Sequence, residues 1–297
     1  MIGKMRENKT VRLYVVALAA VLLYGLTPLF TKIAVGSTDG ITVGALRAIV
    51  ASPLAVAAIF ALRMPLPWRG NDKWLLIISG AGGLAVFPLL FSWGVQMTTA
   101  GHAAAGTATG AVMAGILSAL LNRRWPTLYW WLGITVGLAG ALLLIWEAIG
   151  LDVAGVTWQG DALVFAGMFS GVVGYIAAAR LARRASAMAV TMWSVCVAAI
   201  LVWPVLMWHS SLTALAAIDL ASWVAVCTLA WGATIGAYIL WTRAVADGGV
   251  ARIGSLQLLQ PVIGISLAPL LLSEPFTLPL AIATAVTLVG VVLIQRG

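Results

Sequence analysis

Charged side chains are scarce in this chain: 9% of its 297 residues are Asp, Glu, Lys or Arg, where an average soluble protein carries about 25%. Cysteine and histidine are scarcer still, at two residues each. Cys196 and Cys227 both fall inside apolar runs, where a thiol is most often a small buried hydrophobe, so no disulfide is expected. His102 and His209 fall in or beside connections between such runs. No His-Glu-x-x-His sequence occurs, and no apolar run holds a pair of aspartates. Zinc and acid–base proteolysis inside a membrane therefore lack their ligands and acids, and a serine nucleophile would have no evident histidine partner. No catalytic residue, no metal site and no cofactor is expected.

Apolar sequence is abundant instead, at 62% of residues. A helix needs roughly 20 mostly apolar residues to cross the hydrocarbon core of a bilayer, and the chain divides into ten such runs: 13–35, 43–62, 74–95, 103–121, 128–149, 161–179, 188–208, 221–242, 253–272 and 278–295. The ten-residue alternation of a β-barrel is missing, so helices are the expected form. The basic N-terminus resembles a secretory signal, but its Ala-Leu-Ala at 17–19 lies inside the apolar run rather than after it. An uncleaved first span is expected.

The net charge of +8 comes from short basic clusters between apolar runs, which leaves no polar surface for nucleic acid. Its placement predicts orientation. Lys4, Arg6, Lys9 and Arg12 precede the first run; Arg63, Arg69 and Lys73 follow the second; Arg123 and Arg124 follow the fourth. Arg180, Arg183, Arg184, Arg243, Arg252 and Arg296 continue on the same side. The other side carries Asp39, Glu147, Asp152, Asp161, Asp219 and Glu274. Lys32 and Arg47 are the exceptions, both near expected helix ends, where a long side chain can snorkel to the interface. Basic connections mark the cytoplasmic side, so both termini are expected there.

An internal repeat runs through the chain. "RRWPTL" at 123–128 returns as "SEPFTL" at 273–278, and a slide of 150 residues matches ten of the thirty-four positions from Val112 to Ile145, including Thr127 with Thr277 and Gly140 with Gly290. Five helices per half make the second copy cross in the opposite direction. The fold class expected is thus an all-α polytopic membrane protein, with ten transmembrane helices in two inverted five-helix repeats, 1–150 and 151–297.

Glycines at spacing four begin at Gly106, Gly133, Gly167 and Gly232. They predict close helix packing, since helix association in lipid relies on van der Waals contact. Gly82, Gly83 and Pro88 in the third run could instead mark a bend or a gate, because proline lacks the donor that completes the helix ladder. Twelve of the fourteen tryptophans fall near loop ends and read as interfacial belts. Trp130 and Trp241 are among them; Trp231 falls nearer the midplane.

Uncharged polar residues remain inside the runs. Tyr24 and Thr27 lie in the first, Thr107 in the fourth, Ser170 and Tyr175 in the sixth, and Gln257 and Gln260 one turn apart in the ninth. An unpaired amide in hydrocarbon costs several kcal/mol, so these groups must face protein, water or ligand. With Trp231 they form the candidate substrate-binding set around an uncharged central cavity, the place where carriers built from repeats bind cargo.

"YGLTPLFTK" in the first run and "LQLLQPVIGISLAPLLLSEPFTL" in the ninth and tenth resemble the EamA-type drug/metabolite transporter family, over essentially residues 12 to 296. Within it the likeness is to bacterial exporters of aromatic amino acids. Where many members carry a glutamate after the fourth helix, this chain has Asn122, Arg123, Arg124 and Trp125. The resemblance implies a cavity lined by helices 1 to 4 and 6 to 9, and a carrier in the bacterial inner membrane. Its partners would be the lipid bilayer and small amino acids or related metabolites, exported by alternating access. A channel would need charged rings or a filter loop, neither of which is visible, and a membrane scaffold would use the glutamines for structure alone.

Overall fold

In the computed structural model of the chain, residues 2–98, 100–123, 125–149, 157–264 and 278–296 are described. Every regular element among them is helical. The first span is broken into α1 (Ile2–Gly25) and α2 (Thr27–Ala34). Pro28 opens α2, where its missing N–H would have found no helical partner in any case. Helix α3 (Gly40–Ala61) starts at Asp39, whose carboxylate accepts from the Thr42 N–H at 2.9 Å.

The third span changes geometry twice: α4 (Asp72–Ile78), a π-helical segment π1 (Ser79–Val86), then α5 (Phe87–Gln96). Helices α6 (Ala100–Asn122), α7 (Leu128–Ile149), α8 (Trp158–Leu181), α9 (Ala187–His209) and the short α10 (Leu212–Ala216) follow. The next span repeats the pattern of the third, with α11 (Leu220–Cys227), π2 (Thr228–Ala237) and α12 (Tyr238–Gly248). Moving π1 forward by 150 residues gives 229–236, which lies inside π2. Beyond it come α13 (Val250–Gly254), a 3-10 turn over Ser255–Leu258, α14 (259–264) and α15 (Leu278–Arg296).

Among the described residues, six helices are long and apolar enough to cross a membrane: Thr10–Ala34, Gly40–Ala61, Asp72–Gln96, Trp158–Leu181, Ala187–His209 and Leu220–Gly248. Shorter apolar stretches occupy Gly106–Asn122 and Leu128–Gly140. Asp152, Glu274 and the later part of the expected ninth run lie outside the described residues. Large apolar side chains such as Phe60, Phe165, Ile200 and Trp203 point outward. So much exposed apolar surface would drive association in water and suits lipid. The interior is built from small residues, among them the buried Ala48, Ala51 and Ala55 of α3, a helix that packs on both α9 and α5.

Glycines explain three of the close approaches. A Cβ on Gly133 of α7 would meet the Gly290 carbonyl of α15 at 2.7 Å, one on Gly106 would meet Val164, and one on Gly167 would meet α5 backbone. Gly232 departs from the expectation: open space surrounds its Cβ position, and the residue belongs to π2 rather than to a packed face.

The two ends of the bundle differ. At one, Asp39 contacts the His209 Nε2 at 2.9 Å, the Asp219 N–H donates to Ser37 at 3.1 Å, and Thr98 donates to Asp161 at 2.9 Å. Lys32 also belongs to this end and does not snorkel. Its ammonium donates to the Val95 and Thr98 carbonyls at 3.2 and 2.8 Å, where the α5 helix leaves carbonyls unpaired. At the other end Arg184 pairs with Asp72 at 2.9 Å. A cavity of about 300 Å³ opens beside it, lined by Ser118, Asn122, Arg180, Arg183 and Arg252 among others.

Candidate functional site

Four breaks in helix geometry converge on one cavity. Tyr24 and Thr27 flank the interruption at Leu26, Gly83 and Leu84 come from π1, Ala233 and Thr234 from π2, and Gln257 from the 3-10 turn; all line it. Irregular backbone at membrane depth is tolerated where it borders a cavity or protein rather than lipid, and π-helical turns concentrate at functional sites. For π1 the sequence supplies a cause. Pro88 cannot donate to the carbonyl four residues before it, and the preceding N–H, that of Phe87, reaches five residues back to Gly82. No proline accompanies π2, and its sequence offers no comparable reason for the wider turns.

Side chains hold these segments together. The Ser79 hydroxyl of π1 meets Ser194 of α9 at 2.8 Å and the Tyr238 hydroxyl of α12 at 3.0 Å. The backbone of α8 lies directly on π1, with Gly174 against Gly83.

Six of the expected site residues come together here: Tyr24, Thr27, Thr107, Tyr175, Gln257 and Gln260. Two do not. Ser170 turns to the Gly82 carbonyl, donating to it at 3.0 Å and bracing π1 from outside the cavity. Trp231 is half exposed on the outer surface, with its Nε1 3.3 Å from the Val50 carbonyl. Trp241 takes the place that sequence reasoning gave to Trp231. Assigned there to an interfacial belt, it is 0% exposed, lines the cavity, and has the rings of Tyr24 and Tyr175 edge-on at 6.2 and 5.7 Å. Trp130 is likewise buried rather than interfacial, packed under Gly115.

The largest correction is Arg47. It neither snorkels nor leaves the cavity uncharged. Because α3 begins at Gly40, Arg47 lies two turns into the span; it is 2% exposed and lines the cavity. Its Nε and Nη1 have no hydrogen-bond partner, and its guanidinium lies 5.7 Å from the centre of the Phe87 ring. Among the described lining residues there is no carboxylate to balance it. A buried ion without a partner costs several kcal/mol, and guanidinium cannot shed its proton to escape that cost.

Other polar atoms around the cavity also lack partners. The Thr27 and Thr234 hydroxyls and the Trp241 Nε1 are buried without hydrogen bonds. The Tyr175 hydroxyl and the Gln257 carbonyl oxygen, which lies against Gly110, are also buried without hydrogen bonds. Phe87, Phe91, Met168 and Val172 supply the apolar wall. The volume open to the centre of a water molecule is about 60 Å³, enough for several waters. A donor-rich, singly cationic, aromatic-walled cavity inside a membrane bundle can bind a small polar molecule.

These features define a membrane transport protein, and comparison with known proteins agrees. The sequence profile of the EamA-like transporter family matches residues 12–146 and again 158–296. The chain belongs to that family and contains two copies of its repeat. It is similar to the uncharacterized transporter YdeK of Bacillus subtilis (strain 168), 26% identical over 267 residues that cover 90% of this chain and 91% of YdeK. The uncharacterized transporter YetK of the same organism is 23% identical, covering 92% and 84%. A solved crystal structure has the same fold at a TM-score of 0.74 and 21% identity, over 95% of this chain and 96% of that one.

Proposed function

We propose that the protein is a secondary transporter of the bacterial inner membrane that exports small metabolites, aromatic and other neutral amino acids above all, by alternating access. Ten transmembrane helices form two inverted five-helix halves, 1–150 and 151–297, with both termini in the cytoplasm. The observation that carries this reading is the convergence of four interrupted helices on one buried cavity, where Arg47, Thr27, Thr234, Tyr175, Trp241 and Gln257 each have a polar atom without a protein partner. The π segments at repeat-related positions support two equivalent halves. Cross-links such as Asp39 to His209 at one end, against the wide cavity at the basic end, suit a step of the cycle in which the outer side is shut. Export rather than import, and amino acids as cargo, rest on the family resemblance.

The test is uptake of radiolabelled phenylalanine into proteoliposomes, compared with empty vesicles. Saturable flux, inhibited by unlabelled phenylalanine but not by glutamate, is the expected result. Gln260→Leu should weaken apparent affinity on the order of tenfold, about 1.4 kcal/mol. Non-saturating flux would point to a channel, and no flux of any amino acid to a scaffold.

A further inference from the structure

We propose that Arg47 anchors the cargo by a carboxylate, so that the cavity accepts monocarboxylates with an apolar tail and rejects amines that lack the acid group. This rests on the reading of the central cavity as the transport site. The side chain is buried, aimed into the cavity, and left with two unpartnered nitrogens. Guanidinium groups bind carboxylates through short charge-assisted hydrogen bonds, stronger than neutral ones, and the described lining offers no competing acid.

Charge arithmetic restricts the ligand further. One guanidinium balances one negative charge. A dicarboxylate would bring in a second charge with no partner, and a free amine or a second cation would be repelled. The Phe87 ring beside Arg47, with Phe91, Trp241 and the Met168 side chain elsewhere in the lining, offers apolar contact for a tail. The uncharged oxygens of Gln257, Gln260 and Thr234 offer acceptors for an α-ammonium group. An aromatic or aliphatic amino acid satisfies all of these at once. Its carboxylate is the part the cavity cannot do without.

Three probes isolate the carboxylate: L-phenylalanine, 3-phenylpropionate, which lacks the amine, and phenethylamine, which lacks the acid. Thermal unfolding of the detergent-purified full chain is measured with each, for wild type, Arg47→Lys and Arg47→Met. Arg47→Met should fold at least as well as wild type, since a hydrophobic residue in place of a buried charge is often neutral or stabilising. The expected result is a rise in wild-type Tm with both carboxylates and none with phenethylamine. In Arg47→Met the response should disappear, with affinity at least tenfold weaker, while Arg47→Lys keeps part of it. A shift with phenethylamine equal to that with the acids, no shift with either acid, or an undiminished response in Arg47→Met would overturn the assignment. Proteoliposome flux separates the two readings. Amine flux untouched by Arg47→Met would sink the carboxylate anchor and leave the transporter. An Arg47-dependent shift without flux of any probe would do the reverse.

Discussion

The Tyr175 ring stands edge-on to Trp241, with centroids 5.7 Å apart and planes at 87°. Tyr24 approaches the same indole at 6.2 Å and 78°. Tyr24 lies in the first segment matched by the family profile and Tyr175 and Trp241 in the second, so the Tyr24–Trp241 contact joins the two segments at the cavity. Trp241→Ala should cost about 3–5 kcal/mol, as deletions of large buried aromatics do. Trp241→Phe should cost markedly less while weakening phenylalanine transport. Thermal unfolding and flux, measured on both variants, check the pair; equal stability of Trp241→Ala and wild type would count against the packing role.

Why the sequence placed Trp231 in the cavity instead of Trp241 has a physical answer. Depth in the bilayer can be counted from the loops, but face cannot. A surface helix of a soluble protein declares its inner side by an apolar stripe; here nearly every position is apolar and no stripe exists. Six of the expected runs return among the described residues as helices long and apolar enough to cross a membrane, legible because they are written directly in hydrophobicity. Six polar cavity residues were legible for a related reason: a polar atom in hydrocarbon needs a partner wherever its helix faces. Counted from the start of the apolar run at residue 43, Arg47 falls within about a turn of the end, which hides its depth. The structure starts α3 at Gly40. A lone cation in an apolar run is the signal that could have found it.

Backbone contact at π1 predicts opposite outcomes for two glycines that the sequence does not distinguish. A Cβ on Gly174 would run into the backbone of Gly83, whereas one on Gly232 would enter open space. Gly174→Ala should destabilise by about 1–3 kcal/mol through overpacking. Gly232→Ala should be neutral or stabilise by roughly 0.5 kcal/mol, because alanine loses less backbone freedom on folding. Parallel thermal melts of the two variants decide this, and a Gly174→Ala protein as stable as wild type would refute the contact.

Asp39 makes the acidic end pH-sensitive. Partial burial raises its pKa, but hydrogen bonds from the Thr42 side chain and backbone, together with His209, outweigh that and hold it below the ordinary carboxylate value. A lowered folded-state pKa means that the charged form stabilises the fold above the unfolded value of about 3.9. That contribution is lost as pH falls through the folded value. Asp39→Asn keeps an N-cap and removes the charge. Its Tm should lie below that of wild type at pH 7, and the gap should narrow as pH falls below the ordinary carboxylate value. Asp39→Ala, which also removes the cap, should cost about 1 kcal/mol more. A gap independent of pH would rule out a contribution from the Asp39 charge.

Transport should run without obligatory proton coupling. Proton-driven carriers use an embedded carboxylate or histidine that changes charge during the cycle. Among the described residues lining the central cavity there is no Asp, Glu or His, and the one ionisable group with a fixed charge there, Arg47, stays protonated throughout the physiological range. Asp161 lies at the acidic end, hydrogen-bonded by Thr98, and Asp39 and His209 hold each other there. The side chains of His102 and Glu147 lie outside the described residues. A zwitterion whose carboxylate pairs with Arg47 enters and leaves without net charge, so its flux should follow its own gradient and be insensitive to membrane potential. Proteoliposomes given a pH gradient and equal amino acid on both sides should show no net accumulation. Uphill accumulation that a protonophore abolishes would require a titrating group in the transport path, and His102 and Glu147 would be the first residues to replace.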